Sequence, residues 1–209
     1  MVREAICINI DEEFDRSIEE ARRLFLAGQI FIYPTDTLYG IGGNPFDKSV
    51  ILRINELKQR NELKHFILLI NNIKNLIAYV EFSSDKHVKI LQNLWPGPVT
   101  VIFRTNSNAA EQLDSKTIAF RVPNNKFCLN LLSQIKMPLI STSVNKSEET
   151  PILDYVEINE KFKSKVDAIF YTKQKRDNIP STIVDLTEKE PKIIREGKIK
   201  VVELLRKFN

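Results

Sequence analysis

The strongest constraint on the fold is an alternation that runs almost the whole length of the chain. Short apolar runs of strand length alternate with stretches whose apolar residues recur at helical spacing. That pattern argues for an α/β fold with a substantial sheet. Asp11 to Ala27 places Phe14, Ile18, Ala21, Leu24 and Phe25 on one helical face, with Gly28 as a C-terminal stop. Ile30 to Tyr33 reads as a short strand that Pro34 ends, and Asp47 N-caps a helix carrying Val50, Ile51, Ile54 and Leu57. Further strands are expected at 66–70, 99–103, 118–122, 139–143, 168–171, 182–186 and 192–195, and further helices at 85–93, 127–135 and 152–162. The nine prolines sit singly at strand ends and turns, and no linker, repeat or low-complexity tract divides the chain. Residues 1–209 are therefore read as one domain.

Composition serves mainly to exclude. With 43% hydrophobic and 28% charged residues, the chain is neither disordered, collagen-like nor a coiled coil. Its 209 residues bury enough surface to fold without a metal or disulfide staple. The 31 basic and 27 acidic residues leave a net charge of +4, too mild to imply nucleic-acid binding by itself. Cys7, Cys128, His65 and His87 form no cluster with zinc spacing, and the cysteines read as buried thiols in a reducing compartment. The first ten residues include Arg3 and Glu4 and do not make a signal peptide. No apolar run approaches the ~20 residues that span a bilayer. The reading is cytoplasmic, with no membrane partner.

Candidate chemistry gathers at strand ends. In Tyr33-Pro34-Thr35-Asp36-Thr37-Leu38-Tyr39-Gly40-Ile41-Gly42-Gly43, a strand runs into hydroxyl, carboxylate and hydroxyl groups. Loops after strands are where α/β proteins hold polar ligands, although an Asx-type turn explains the same residues. The glycines fit neither a dinucleotide fingerprint nor a Walker A loop. Lys58-Gln59-Arg60, with Lys64 beyond, reads either as a solvated helix end or as a phosphate site. Trp95-Pro96-Gly97-Pro98 is a rigid turn. Arg121, inside an apolar strand, requires a partner: a ligand carboxylate or an acidic residue of the protein. Ser141, Ser143 and Asn145 share one face by alternation. Ser181 opens a late strand and Arg195 closes one. No histidine pairs with a nucleophile, so a Ser–His–Asp hydrolase is unsupported. His65 and His87 read as packing or surface residues.

Taken together and in order, these segments resemble the threonylcarbamoyl-AMP synthase family, the YrdC-type domain. The matching pieces are PTDTLYGIG from Pro34, KQR from Lys58, WPGPVT from Trp95, TIAFRVP from Thr117, STSVN from Ser141, STIVDL from Ser181 and REG from Arg195. The resemblance implies a twisted mixed α/β sheet flanked by helices, with a concave basic cleft. It implies a reaction in which L-threonine, bicarbonate and ATP give threonylcarbamoyl-adenylate and pyrophosphate for tRNA modification. Such chemistry is largely positioning and charge neutralisation, for which cations and hydroxyls suffice.

Carried over by motif, Thr37, Arg121, Ser141 and Ser181 would hold L-threonine, with Arg121 on its carboxylate. Arg60, Lys64, Thr117, Ser143, Asn145, Thr150 and Arg195 would contact ATP, and Lys58 and Arg60 would serve catalysis. Mg2+ would accompany the triphosphate without a protein carboxylate cage. Downstream tRNA-modification proteins would take the product, and tRNA or double-stranded RNA is a further implied partner. The chain departs from the family pattern at Asn61 and His65, where proline is usual, and at Glu148, where glycine is usual. Longer family members add a C-terminal domain, and this chain resembles the short form. Two alternatives share the fold without synthase activity: a YciO-like paralogue, whose group lacks clean KxR and SxN pairs, and an RNA-binding protein.

Overall fold

A computed structural model of the chain describes residues 4–59, 66–147, 149–174 and 177–202. In chain order the elements are β1 (Ile6–Asn9), α1 (Phe14–Leu26), β2 (Phe31–Pro34), β3 (Tyr39–Gly42), α2 (Lys48–Leu57), β4 (Ile67–Leu69), a 3-10 turn (Ile73–Ala78) and β5 (Val80–Glu81). There follow α3 (Lys86–Leu94), β6 (Val99–Thr105), α4 (Ser107–Leu113), β7 (Thr117–Arg121), α5 (Lys126–Ile135), β8 (Leu139–Ser143), α6 (Tyr155–Phe162), β9 (Ala168–Tyr171), β10 (Thr182–Asp185) and β11 (Lys192–Arg195). The strands form one mixed sheet in the order β1-β9-β2-β3-β8-β4-β7-β6-β10-β11, with β5 beside β6. This is the mixed, helix-flanked α/β sheet expected from the alternation.

Alternation along the strands sorts the core into two faces. Ile30, Ile32, Leu68, Ile118, Phe120, Ile140 and Val184 face one cluster, which takes in Val50 and Ile54 of α2, Ile90 and Leu94 of α3, and Phe162 of α6. Phe31, Tyr33, Leu69, Leu139 and Phe170 face the other, beneath Ile18, Ala21, Leu24 and Phe25 of α1 and Phe127, Leu131 and Leu132 of α5. The helices start where short polar side chains cap them. Asp47 accepts from the Ser49 N–H, Asn125 from Cys128 and Asp154 from Glu157. Gly28, at φ +64, follows the end of α1 in a conformation that other residues adopt only with strain.

Several boundaries differ from the sequence expectation for local reasons. The first helix begins at Phe14 rather than Asp11, because Asn9 accepts from the Asp11 and Glu13 N–H groups and turns the chain first. The helix expected from Ile152 begins only at Tyr155, behind its Asp154 cap. Pro34 does not stop β2; it is its last residue and pairs with Tyr39. Tyr39–Gly42, read as ligand loop, is the return strand of that hairpin. The sequence reading did not anticipate β1, β5, the 3-10 turn or the short, polar α4.

Candidate active-site groove

The strand register defines an open strip on one face of the sheet. Ile67 pairs with Ser141 on one side and Ala119 on the other; Ala119 pairs with Ile102, and Ile102 with Asp185. Cross-strand partners share a face. All five of these residues are half-buried, whereas their strand neighbours on the opposite face (Leu68, Ile140, Ile118, Val101, Val184) are buried. Helices α1 and α5 cover this face over Leu69 and Leu139, and Ile67 packs at the edge of that cluster while staying half-buried. The result is a groove floored by the centre of the sheet. Thr117, Arg121, Ser141 and Ser143 belong to this face by alternation, and Arg195 joins it as the partner of Ile183.

Arg121 organises one end. Its Nε donates to the Gly97 carbonyl at 3.1 Å and its Nη1 to Thr37 Oγ1 at 2.9 Å, while Nη2 is paired with Asp36 Oδ1. Both alternatives left open by the sequence therefore bear on Arg121: it has an acidic protein partner and still keeps donors. Of the five guanidinium N–H groups, three are used by these acceptors and two remain. Side-chain exposure is 5% for Arg121 and 12% for Asp36. Thr37 lies in the β2–β3 turn, three to four inter-strand steps from β7 in the sheet order. In a flat sheet that is roughly 14–19 Å. The 2.9 Å contact therefore requires the sheet to curl so that the hairpin arches over β7.

Around this pair stand further hydroxyls. Ser181 Oγ lies 2.8 Å from Thr100 Oγ1, and its carbonyl accepts from Arg195 Nη2 at 2.9 Å. Ser141 lies against the Tyr33 hydroxyl, which donates to the Ile140 carbonyl at 2.8 Å. Complete burial pushes the Tyr33 phenol well above its ordinary pKa, so it stays neutral. Gly40 permits this approach: a Cβ there would stand 2.9 Å from Ser141 Oγ.

The other end is built on Lys58. It is not a solvated helix end: it is 1% exposed at the C-cap of α2. Its Nζ donates to the Ser143 carbonyl at 2.7 Å and to Asn145 Oδ1, and Ser143 Oγ donates to the same Asn145 oxygen at 2.6 Å. Asn145 Nδ2 in turn donates to the Glu149 carbonyl at 2.5 Å. Thr150, the next residue, is exposed and does not belong to the strand-borne set. Arg60, Lys64 and His65 lie outside the described residues, as do Asn61 and Glu148.

Seven expected site residues thus fall together with Lys58 and Asn145: Thr37, Thr117, Arg121, Ser141, Ser143, Ser181 and Arg195. A basic character for the cleft is not established by the described residues, since Lys58 and Arg121 are buried and matched by acceptors. His87 is a fully buried packing residue of α3, with Nε2 at 3.2 Å from the Lys189 carbonyl. Sequence reasoning missed Asp36 as the ion-pair partner, Thr100 and the Gly97 carbonyl. Each lay within a motif already singled out, TDT or WPGPVT, so order of motifs carried the signal without the contact. Among the described residues no three or more His, Cys, Asp or Glu gather to hold a metal ion. No described helix is long and apolar enough to cross a membrane.

Residues 23–197 match the Sua5/YciO/YrdC family, whose description reads "Telomere recombination". An uncharacterized protein of Haemophilus influenzae is 32% identical over 187 residues, covering 87% of this chain and 89% of the relative. A threonylcarbamoyl-AMP synthase of Cellvibrio japonicus is 29% identical over 179 residues, covering 85% and 95%. Among solved structures, P. abyssi Sua5 complexed with L-threonine superposes with a TM-score of 0.85 at 25% identity, over 97% of this chain and 60% of that one. This chain therefore spans about three fifths of the Sua5 chain. E. coli YciO superposes with a TM-score of 0.81 at 27% identity, over 95% and 97%.

Proposed function

Because the chain belongs to the Sua5/YciO/YrdC family, we propose that it is a threonylcarbamoyl-AMP synthase acting on L-threonine, bicarbonate and ATP. The observation that carries this reading is the Arg121 end of the groove. A buried guanidinium is fixed by three protein acceptors and keeps two N–H groups for a carboxylate. Thr37, Ser141 and Ser181 surround it with hydroxyls suited to a small polar amino acid. Support for the substrate comes from the L-threonine complex of P. abyssi Sua5 and the synthase relative of Cellvibrio japonicus.

In this reading the threonine amine adds to bicarbonate-derived carbon to form a carbamate. A carbamate oxygen then attacks the α-phosphate and pyrophosphate leaves. Holding two polyanionic reactants in line is the main task. Lys58, Ser143, Asn145 and Thr117 would serve the nucleotide at the other end, and Arg195, which donates to the Ser181 carbonyl, would reach it from the Arg121 end. Arg60, Lys64 and Thr150 keep their expected ATP roles as part of the proposal, with Lys58 and Arg60 as the catalytic cations. Mg2+ would accompany the triphosphate and offset its charge. Delivery of the product to tRNA-modification proteins in the cytoplasm belongs to the same proposal.

The test is release of pyrophosphate from ATP and bicarbonate. Release that depends on L-threonine is the expected result; threonine-independent release, or none, overturns the reading. A second reading, a YciO-like paralogue with another nucleotide-linked role, is favoured by the near-complete mutual coverage with E. coli YciO. Calorimetric titration with L-threonine in the presence of ATP separates the two, because no threonine binding is expected of the paralogue.

A further inference from the structure

We propose that Asp36 makes the Arg121 end of the groove selective for a zwitterionic amino acid over the corresponding carboxylate anion. The inference rests on the amino-acid reading of that end given above. Asp36 Oδ1 is paired with Arg121 Nη2, and Asp36 Oδ2 is buried without a hydrogen-bond partner. The site thus holds a carboxylate whose charge is only half engaged, in surroundings where charges are weakly screened. Two N–H groups of Arg121 stay open for a ligand carboxylate.

A carboxylate docked there becomes the second anion on one guanidinium, next to Asp36. Like charges at such range oppose each other. A ligand that carries an ammonium on the adjacent carbon offsets this repulsion by placing a cation beside both carboxylates. A ligand without the amine does not. Among the described residues, the cations near this end also include Arg195, whose Nη2 donates to the Ser181 carbonyl at 2.9 Å, and Lys198, whose Nζ donates to the Asp36 backbone carbonyl at 3.3 Å. Lys198 is 35% exposed and paired with Asp177 at 3.5 Å, so its charge is largely matched and screened. Asp36 Oδ2 is sealed from solvent and need not touch the ligand. Asp36 is therefore a specificity and positioning residue: it acts through its field and through the fixed guanidinium. The consequence suits a reaction that requires a free amine, since carboxylates lacking one are kept from occupying the site.

The experiment is calorimetric titration of the whole chain, without ATP, with L-threonine and with 3-hydroxybutanoate, the same molecule lacking the amine. The wild type is expected to favour threonine by at least about tenfold. Asp36→Asn, which keeps an oxygen for Arg121, is expected to cut that preference to about threefold or less, chiefly because 3-hydroxybutanoate binds more tightly once the repelling charge is gone. If Asp36 merely holds Arg121 in place, both ligands weaken in parallel and the preference survives, which overturns the proposal while leaving the amino-acid reading intact. A wild type that binds both equally overturns it without any variant. A wild type that binds neither removes the amino-acid reading and this inference with it. Asp36→Ser serves as the second variant, with the same outcomes, where Asp36→Asn does not fold.

Discussion

The ammonium of Lys58 is hydrogen-bonded to the side-chain oxygen of Asn145, 87 residues further along the chain. The same ammonium reaches the carbonyl of Ser143, the last residue of β8. The end of α2 and the loop after β8 are therefore one mechanical unit. Two segments that look independent in the sequence, KQR and SVN, meet through a buried charge.

Lys58→Met keeps the aliphatic stem and removes the shared donor. The expected cost is about 1–3 kcal/mol of stability, by the loss of a hydrogen bond to a charged group. In a double-mutant cycle with Asn145→Ala, the two effects should be non-additive by more than about 0.5 kcal/mol. Denaturant unfolding of the four proteins measures it, and additive effects would mean that the contact is energetically idle.

Arg121→Lys keeps the charge and loses the planar fork. Threonine affinity is expected to fall by about 10- to 100-fold, since a lysine cannot serve Gly97, Thr37, Asp36 and a carboxylate at once. Arg121→Ala should also destabilise the fold by about 3–5 kcal/mol, because Asp36 is left as an uncompensated buried charge. Calorimetry and thermal unfolding separate the two effects.

Gly40→Ala tests the tight approach of β3 to β8. The added Cβ would stand 2.9 Å from Ser141 Oγ and 3.3 Å from the Tyr33 ring. Overpacking of this kind costs about 1–3 kcal/mol. The KM for threonine should rise while the KM for ATP changes little; equal changes in both would place Ser141 outside the amino-acid end.

The pH dependence of stability carries a signature of Tyr33. Burial raises its phenol pKa well above the ordinary value. Above the unfolded pKa of about 10, the unfolded chain releases a proton that the folded chain retains, so stability falls as pH rises. Tyr155 and Tyr79 are also raised by burial, so the loss is shared among the three. Tyr33→Phe should make the stability loss between pH 10 and 12 shallower by about one proton's worth of slope. An unchanged slope in urea unfolding at those pH values would show that Tyr33 does not contribute.

Much of the architecture was legible in the sequence, because it rests on periodicity and caps that are local. The spans 139–143, 168–171 and 192–195 were read to the residue, and Asp47 and Gly28 were read in their terminal roles. β1 and α4 escaped because their apolar signal is short and their stability comes from neighbours: β1 pairs with β9, more than 150 residues away. β3 escaped because half of it is glycine, and its pairing with β2 and β8 supplies what propensity does not.

The candidate site divides in the same way. The residue types were fixed by the motifs: hydroxyls and cations at strand ends, in an order that resembles one family. Only the tertiary structure decided how they face each other. Register set Ser141, Ile67, Ala119 and Ile102 on one open face, and curling of the sheet brought Thr37 across to Arg121. Which acceptor a buried guanidinium takes depends on separations between strands that are distant in sequence, and no local pattern encodes them. That is why Arg121 could be singled out from its apolar strand, while Asp36, its partner, emerged only when the hairpin closed over it.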